Sequence, residues 1–142
     1  MKRIIRSLLV FKRYGFTIGF ICWIVIITVL SLSSFEDIDT GGINIPHLDK
    51  LVHFFFYFVA AILGVLLIRE QTKGYLSLSR AIIFATLIVI IYGIVIEVIQ
   101  DTFTQNRSGE LYDALANSLG AFFGAGLIII LFSGKTQLKW KD

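Results

Sequence analysis

Four long apolar runs constrain this chain more than any other feature of its sequence. They cover Phe16–Leu32, Leu51–Ile68, Ala81–Ile99 and Ala114–Phe132. At about 1.5 Å per residue, a helix made from any of them would cross most of a hydrocarbon layer about 30 Å thick. The chain is 56% hydrophobic and 16% charged, more apolar than a water-soluble domain can bury. The runs therefore predict an all-α, integral membrane four-helix bundle.

The length of the chain predicts one domain. Four spans with short connections use nearly all of the 142 residues, so residues 1–142 are expected to form a single transmembrane domain. A cleaved signal peptide is the alternative for the first run, because a basic segment precedes it. That run is longer than the apolar part of a signal peptide, which has about 7–15 residues, and an uncleaved helix is favoured.

The basic residues predict the orientation of the bundle. With four spans, 11 of the 13 Lys and Arg residues fall on one side, and only Lys50 and Arg107 fall on the other. The positive-inside rule then places both termini in the cytoplasm. Because the basic residues lie at the ends of apolar runs, they do not form the basic face that binds nucleic acid. Eight of the ten acidic residues fall outside, which topology alone does not explain.

Polar side chains gather at the outer ends of three predicted helices. They are Asp49, His53 and Tyr57 on the second, Glu97 and Gln100 on the third, and Asp113 and Asn117 on the fourth, with Lys50 and Arg107 nearby. Spacings of three and four residues put each set on one helix face. An ionisable group in lipid costs about 2.5–3.5 kcal/mol at the bilayer centre. These side chains are therefore predicted to line one polar cavity.

Several of these residues also fit a structural role. Asp49 and Asp113 fall in first helical turns, where a carboxylate interacts well with the helix dipole. His53 is one turn from Asp49 and is placed to bond it, and the hydroxyl of a buried tyrosine such as Tyr57 usually finds a partner. Capping and a site role both fit the two aspartates, and a purely structural network remains an alternative for the whole set.

Glu97 is the residue that most needs a partner. It lies at the C-terminal end of its helix, where the dipole disfavours negative charge. Arg107, Lys50 and His53 are the possible partners on that side of the membrane. Glu97 and His53 together make a candidate acid–base pair for catalysis or proton-coupled binding. A structural ion pair between Glu97 and Arg107 fits equally well.

The sequence favours neither a metal nor a cofactor. Asp49, His53, Glu97 and Asp113 offer oxygen and imidazole ligands that suit a divalent cation, but no metal-binding motif accompanies them. The single cysteine, Cys22, has no partner for a disulfide.

A stripe of small residues predicts close helix packing. Gly120 and Gly124 have the GxxxG spacing that lets helix backbones approach in lipid. The second span also carries small residues, so the second and fourth helices are expected to be central. A partner helix is expected to pack on the two glycines.

The ordered polar residues resemble those of the VanZ-like membrane proteins. The resemblance rests on Asp49-Lys50-x-x-His53-x-x-x-Tyr57, on Glu97-x-x-Gln100, and on Arg107 followed by Asp113, Asn117 and Gly120. It covers about three of the four helices and includes ordered motifs in each. It implies a multi-pass protein of the bacterial cytoplasmic membrane, in a family named for a teicoplanin-resistance protein. It does not imply a reaction.

Two functional hypotheses follow. In the first, the outer cavity binds or modifies an envelope amphiphile, such as a membrane lipid or lipid-linked wall precursor. Lys50 and Arg107 would hold an anionic group, His53 and Glu97 would manage a proton, and the amides of Gln100 and Asn117 would orient the ligand. In the second, the protein is structural or binds a partner, and its polar residues pair with one another.

Overall fold

The described part of the chain folds into four α-helices. The computed structural model describes residues 2–33, 48–103 and 111–132, with side chains from Tyr14 onward. The helices are α1 (Lys2–Leu32), α2 (Leu48–Gln71), α3 (Leu78–Phe103) and α4 (Leu111–Phe132). All four contain a segment long and apolar enough to cross a membrane. The described residues contain no strand, and the predicted all-α membrane-helix architecture is confirmed.

The helix α1 is kinked at Tyr14. Tyr14 has φ −132° and ψ 26°, which are not helical values, and the membrane-crossing segment of α1 starts there. A break of this kind exposes backbone N–H groups of the next turn. Glu70 of α2 satisfies two of them, accepting hydrogen bonds from the backbone nitrogens of Phe16 at 3.2 Å and Thr17 at 2.8 Å. The end of α2 therefore caps the membrane segment of α1.

The helix α2 is the centre of the bundle. It packs against α1, α3 and α4, and its contact with α4 is the most extensive between any two helices. Gly120 and Gly124 of α4 are buried in that contact. A Cβ atom on Gly120 would overlap the carbonyl oxygen of Phe54 and lie 3.0 Å from the backbone nitrogen of Phe58. Only glycine permits this distance between the two backbones.

Apolar side chains cover the outside of the bundle. Many large side chains of α3 and α4 are half or more exposed, among them Ile91, Val98, Phe123 and Ile130. In water this surface would be unfavourable, whereas lipid solvates it. The buried core is made largely of small residues, including Ala60, Ala61 and Ala121, as expected where helices pack closely in a membrane.

Sequential helices run antiparallel, so one end of the bundle collects the start of α2, the end of α3 and the start of α4. We call this the site end. Side-chain contacts between α3 and α4 and between α3 and α1 occur there, at Glu97–Asn117 and Gln100–Ser31. The sequence-predicted site residues that the structure describes all belong to this end. Which side of the membrane it faces stays a prediction.

Candidate functional site

Three buried side chains from three helices form a hydrogen-bonded chain at the site end. His53 of α2 lies with Nδ1 3.1 Å from Oδ1 of Asn117 on α4. The amide nitrogen of Asn117 donates to Oε1 of Glu97 on α3 at 3.0 Å. Nδ1 of His53 and Oε1 of Glu97 are 3.6 Å apart. The exposed fractions of these residues are between 1% and 6%, so the polar cluster is almost fully shielded.

The hydrogen-bond directions assign the proton on His53. Because Asn117 uses its amide nitrogen to donate to Glu97, its carbonyl oxygen faces His53 and accepts. Nδ1 of His53 must then carry the hydrogen. In neutral histidine the other ring nitrogen, Nε2, is left as an acceptor. Glu97 lies close enough to stabilise the imidazolium that forms when Nε2 takes a proton. The geometry suits a general base with a carboxylate behind it.

Tyr57 lies one turn further into the bundle than His53. Its side chain is completely buried, and within the described part of the chain its hydroxyl has no hydrogen-bond partner. Gly93 of α3 makes room for the ring, because a Cβ there would lie 2.8 Å from Cε1 of Tyr57 and 3.3 Å from Cβ of Asn117. The ring of Tyr57 therefore fits beside the hydrogen-bonded chain only because residue 93 has no side chain.

Lys50 lies between two carboxylates at the start of α2 and α4. Its Nζ is 2.6 Å from Oδ2 of Asp49 and 3.0 Å from Oδ1 of Asp113. The side chain of Asp113 is 11% exposed, whereas that of Asp49 is 48% exposed. Both aspartates lie in the first turns of their helices, so the helix dipoles also favour them. Lys50 thus joins α2 to α4 through Asp113.

Gln100 and Arg107 are the two remaining site residues that the sequence predicted. Gln100 is buried, and its amide nitrogen donates to the backbone oxygen of Ser31 at 2.6 Å, which links the ends of α3 and α1. This contact takes Gln100 toward α1, whereas Asn117 and Glu97 join α3 to α4. Arg107 lies outside the described residues. Of the three partners that the sequence suggested for Glu97, the structure places His53 beside it. Asn117, which was not one of the three, donates a hydrogen bond to it.

A cleft between α1 and α2 reaches the hydrogen-bonded chain. Its volume is about 300 Å³. Its lining includes Leu30 and Ser31 of α1 and Asp49, Val52, His53 and Phe56 of α2. Val52 is 39% exposed, so the cleft is open to the surface of the bundle. His53 belongs both to this lining and to the buried chain with Asn117 and Glu97. The imidazole therefore connects the cleft to the buried carboxylate.

Sequence reasoning did not single out three residues that shape this region. Gly93, the only glycine of α3, was detectable as an interruption in an otherwise bulky run. Ser31 and Trp23 carried no signal, since serine and tryptophan are ordinary residues of a membrane helix. Trp23 donates from Nε1 to the backbone oxygen of Phe56 at 2.9 Å and holds α1 on α2 beside the cleft. Among the described residues, no three His, Cys, Asp or Glu side chains are grouped to hold a metal ion.

These observations define a multi-pass membrane protein with a buried polar site near one end of a small helix bundle. Comparison with protein families matches residues 16–132 to VanZ/LLP1. The match covers most of the 142 residues, and the chain belongs to the VanZ/LLP1 family. The resemblance found in the ordered polar motifs is thereby confirmed. No curated protein and no solved structure matches the chain.

Proposed function

We propose that this protein binds, and through His53 and Glu97 acts on, an amphiphile of the bacterial envelope. The observation that carries the proposal is the chain His53–Asn117–Glu97, which reaches from a surface cleft to a buried carboxylate. A carboxylate, an amide and an imidazole on three helices are more than close packing requires. A buried ionisable side chain is costly unless its charge is compensated. A function is therefore the economical explanation for keeping these three polar side chains.

In this proposal each polar residue has a role. His53 takes a proton from the ligand at Nε2, Glu97 stabilises the charge that results, and Asn117 orients the two. Tyr57 supplies a hydroxyl next to them. Asp49 lines the entrance, and Lys50 with Asp113 fixes the start of α2 against α4. Gln100 holds α1 in place, and Arg107 is retained as the residue that would meet an anionic part of the ligand.

The proposed setting is the bacterial cytoplasmic membrane, with both termini in the cytoplasm and the site end outside. The distribution of Lys and Arg supports this orientation. An outward-facing site would meet membrane lipids, lipid-linked wall precursors and lipoglycopeptides. A link to teicoplanin-type resistance is part of the proposal and is suggested by the family name. We assign the Gly120–Gly124 stripe to packing of α4 on α2 within one chain, because both glycines are buried there.

Exchange of Glu97 for glutamine tests the proposal. The variant keeps the size of the side chain and removes its charge. In a bacterium that needs the protein for resistance to a teicoplanin-type glycopeptide, Glu97→Gln is expected to abolish resistance at an unchanged protein level. Asp101→Asn is the matched control, because Asp101 is an exposed carboxylate one turn along the same helix. Full resistance in Glu97→Gln would contradict the proposed role.

A structural network is the second candidate, and one observation favours it. His53, Asn117 and Glu97 are linked to one another by hydrogen bonds, as side chains that only set helix register would be. Breaking a buried pair of this kind costs about 3–5 kcal/mol. If this account is correct, Glu97→Gln lowers the yield of folded protein in detergent. A loss of resistance would then follow from the loss of protein and not from the loss of a functional group. Size-exclusion chromatography of the purified variant separates the two accounts.

A further inference from the structure

We propose that the cleft between α1 and α2 binds the ammonium group of an amine that carries one alkyl chain or is linked to a lipid. The alkyl chain would lie on Leu30, Val52 and Phe56. The inference rests on the proposed function, since it concerns the ligand of the same site. It differs in one respect from what the sequence suggested, which was an anionic group held by Lys50 and Arg107. The charges and hydrogen-bonding groups around the cleft support the amine.

The described charges near the cleft are mainly negative. Asp49, Glu97 and Asp113 provide three carboxylates, and Lys50 provides the ammonium that faces two of them. Lys50 lies within 3.0 Å of both aspartates, so its charge is already compensated inside the protein. Asp49 is itself paired with Lys50, so the negative charge that would repel a phosphate is the excess of carboxylates over ammonium groups near the cleft. A cation there would be attracted.

The hydrogen-bonding groups at the cleft also match a donor ligand. Asp49 lines the cleft and is 48% exposed at its side chain, so a carboxylate acceptor is accessible from it. His53 lines it too, and with Nδ1 donating to Asn117 its Nε2 is an acceptor. A primary ammonium has three donors and no acceptor. A phosphate brings only acceptors unless it is protonated, and would face the acceptors of Asp49 and His53, with the Ser31 hydroxyl as a lining group that can donate.

The apolar part of the cleft fits an alkyl chain that enters from the bilayer. Leu30, Val52 and Phe56 are apolar, and Val52 with Leu48 is exposed at the outer surface of the bundle. A volume of about 300 Å³ is at the small end of ligand sites. It holds a head group and the first part of one chain, and the remainder of the chain would stay in lipid.

Trp23 provides a direct measurement of binding at this cleft. Its ring centroid is 6.0 Å from that of Phe56, which lines the cleft. The only other tryptophan is Trp140, so Trp140→Phe leaves one fluorophore in the full-length protein. We suggest titrating this protein in detergent with dodecylamine, dodecyl phosphate and dodecanol, each with bromine on the alkyl chain as a quencher of Trp23.

Dodecylamine is expected to quench Trp23 at a concentration about tenfold lower than the other two probes, as a charge-assisted hydrogen bond would produce. Asp49→Asn should weaken the amine about tenfold and leave dodecanol unchanged, and Asp49→Glu should restore it. Val52→Phe, which fills the cleft, should weaken all three probes. Val98→Phe on the exposed face of α3 is its matched control and should change none of them.

Two results would overturn the inference. Stronger quenching by dodecyl phosphate would show an anion site, and the proposed function would survive in its original form. Equal quenching by the three probes, with no effect of Asp49→Asn, would show partition into the detergent and no site for an amine. The proposed function is judged separately by resistance in Glu97→Gln cells, so the failure of one is distinguishable from the failure of the other.

Discussion

Tyr57, which is buried, and Tyr92, which is half-buried, are neighbouring tyrosines with different hydrogen bonding. Their ring centroids are 6.1 Å apart. The hydroxyl of Tyr92 bonds Thr28 of α1 at 2.7 Å, whereas that of Tyr57 has no partner among the described residues. A buried hydroxyl without a partner costs stability by about 1–3 kcal/mol. Tyr57 therefore carries a buried polar group that the described residues leave without a partner, and the proposed ligand would supply one.

Exchange of each tyrosine for phenylalanine separates these two roles. Tyr57→Phe is expected to leave the free energy of unfolding unchanged or to raise it, because no hydrogen bond is lost. Tyr92→Phe removes the bond to Thr28 and should lower it by about 0.5–1.5 kcal/mol. Unfolding by sodium dodecyl sulfate in mixed micelles, followed by circular dichroism, measures both. Destabilisation by Tyr57→Phe equal to that by Tyr92→Phe would mean that Tyr57 is structural.

The apolar runs predicted the positions of the helices but placed the starts of α2, α3 and α4 too late, although the sequence had assigned Asp49 and Asp113 to first helical turns. The apolar runs predicted starts at residues 51, 81 and 114, and the helices begin at Leu48, Leu78 and Leu111. Each of these helices has a first turn that the apolar run did not include. This turn contains a leucine and polar residues, such as Asp49-Lys50 in α2. Hydropathy excludes these residues because they are polar, whereas the backbone includes them because a helix start accommodates charge. Element boundaries are therefore less predictable than element number.

The contact between α2 and α4 allows a sharp prediction for α4. Gly120→Ala is expected to lower the free energy of unfolding by about 1–3 kcal/mol, because the added Cβ meets the backbone of α2 at Phe54 and Phe58, which cannot rotate away. Gly126→Ala is the control on the same helix, since a Cβ there has nothing within 4 Å. The same detergent titration applies. Equal stability of the two variants would contradict the close approach of the backbones.

At the scale of the whole molecule, the sequence predicted which residues share one end, and the structure supplied their pairing. Helix-face spacing placed His53, Glu97 and Asn117 at one depth because antiparallel helices return to the same level. The choice of Asn117 as the link, and of Asp113 rather than Glu97 for Lys50, depends on helix rotation and distance. Those depend on small residues such as Gly93 and Gly120, whose effect is not visible until the helices pack.

The orientation of the whole bundle gives the last prediction. The site end is expected outside, because 11 of the 13 Lys and Arg residues belong to the other side and the positive-inside rule places them in the cytoplasm. Two exposed positions report on it: Leu111, 74% exposed at the site end, and Tyr75, 92% exposed in the turn between α2 and α3.

Cysteines at these positions measure the orientation in intact bacteria. With Cys22→Ser as background, Leu111→Cys should react with a membrane-impermeant maleimide added to whole cells. Tyr75→Cys should react only after lysis. Cys22, the native cysteine, is exposed on the apolar surface of α1 and has to be removed because it is the only other thiol. Labelling of Tyr75→Cys in whole cells, with Leu111→Cys protected, would place the polar site in the cytoplasm. An envelope ligand on the outer surface would then be excluded, whatever the chemistry of His53 and Glu97.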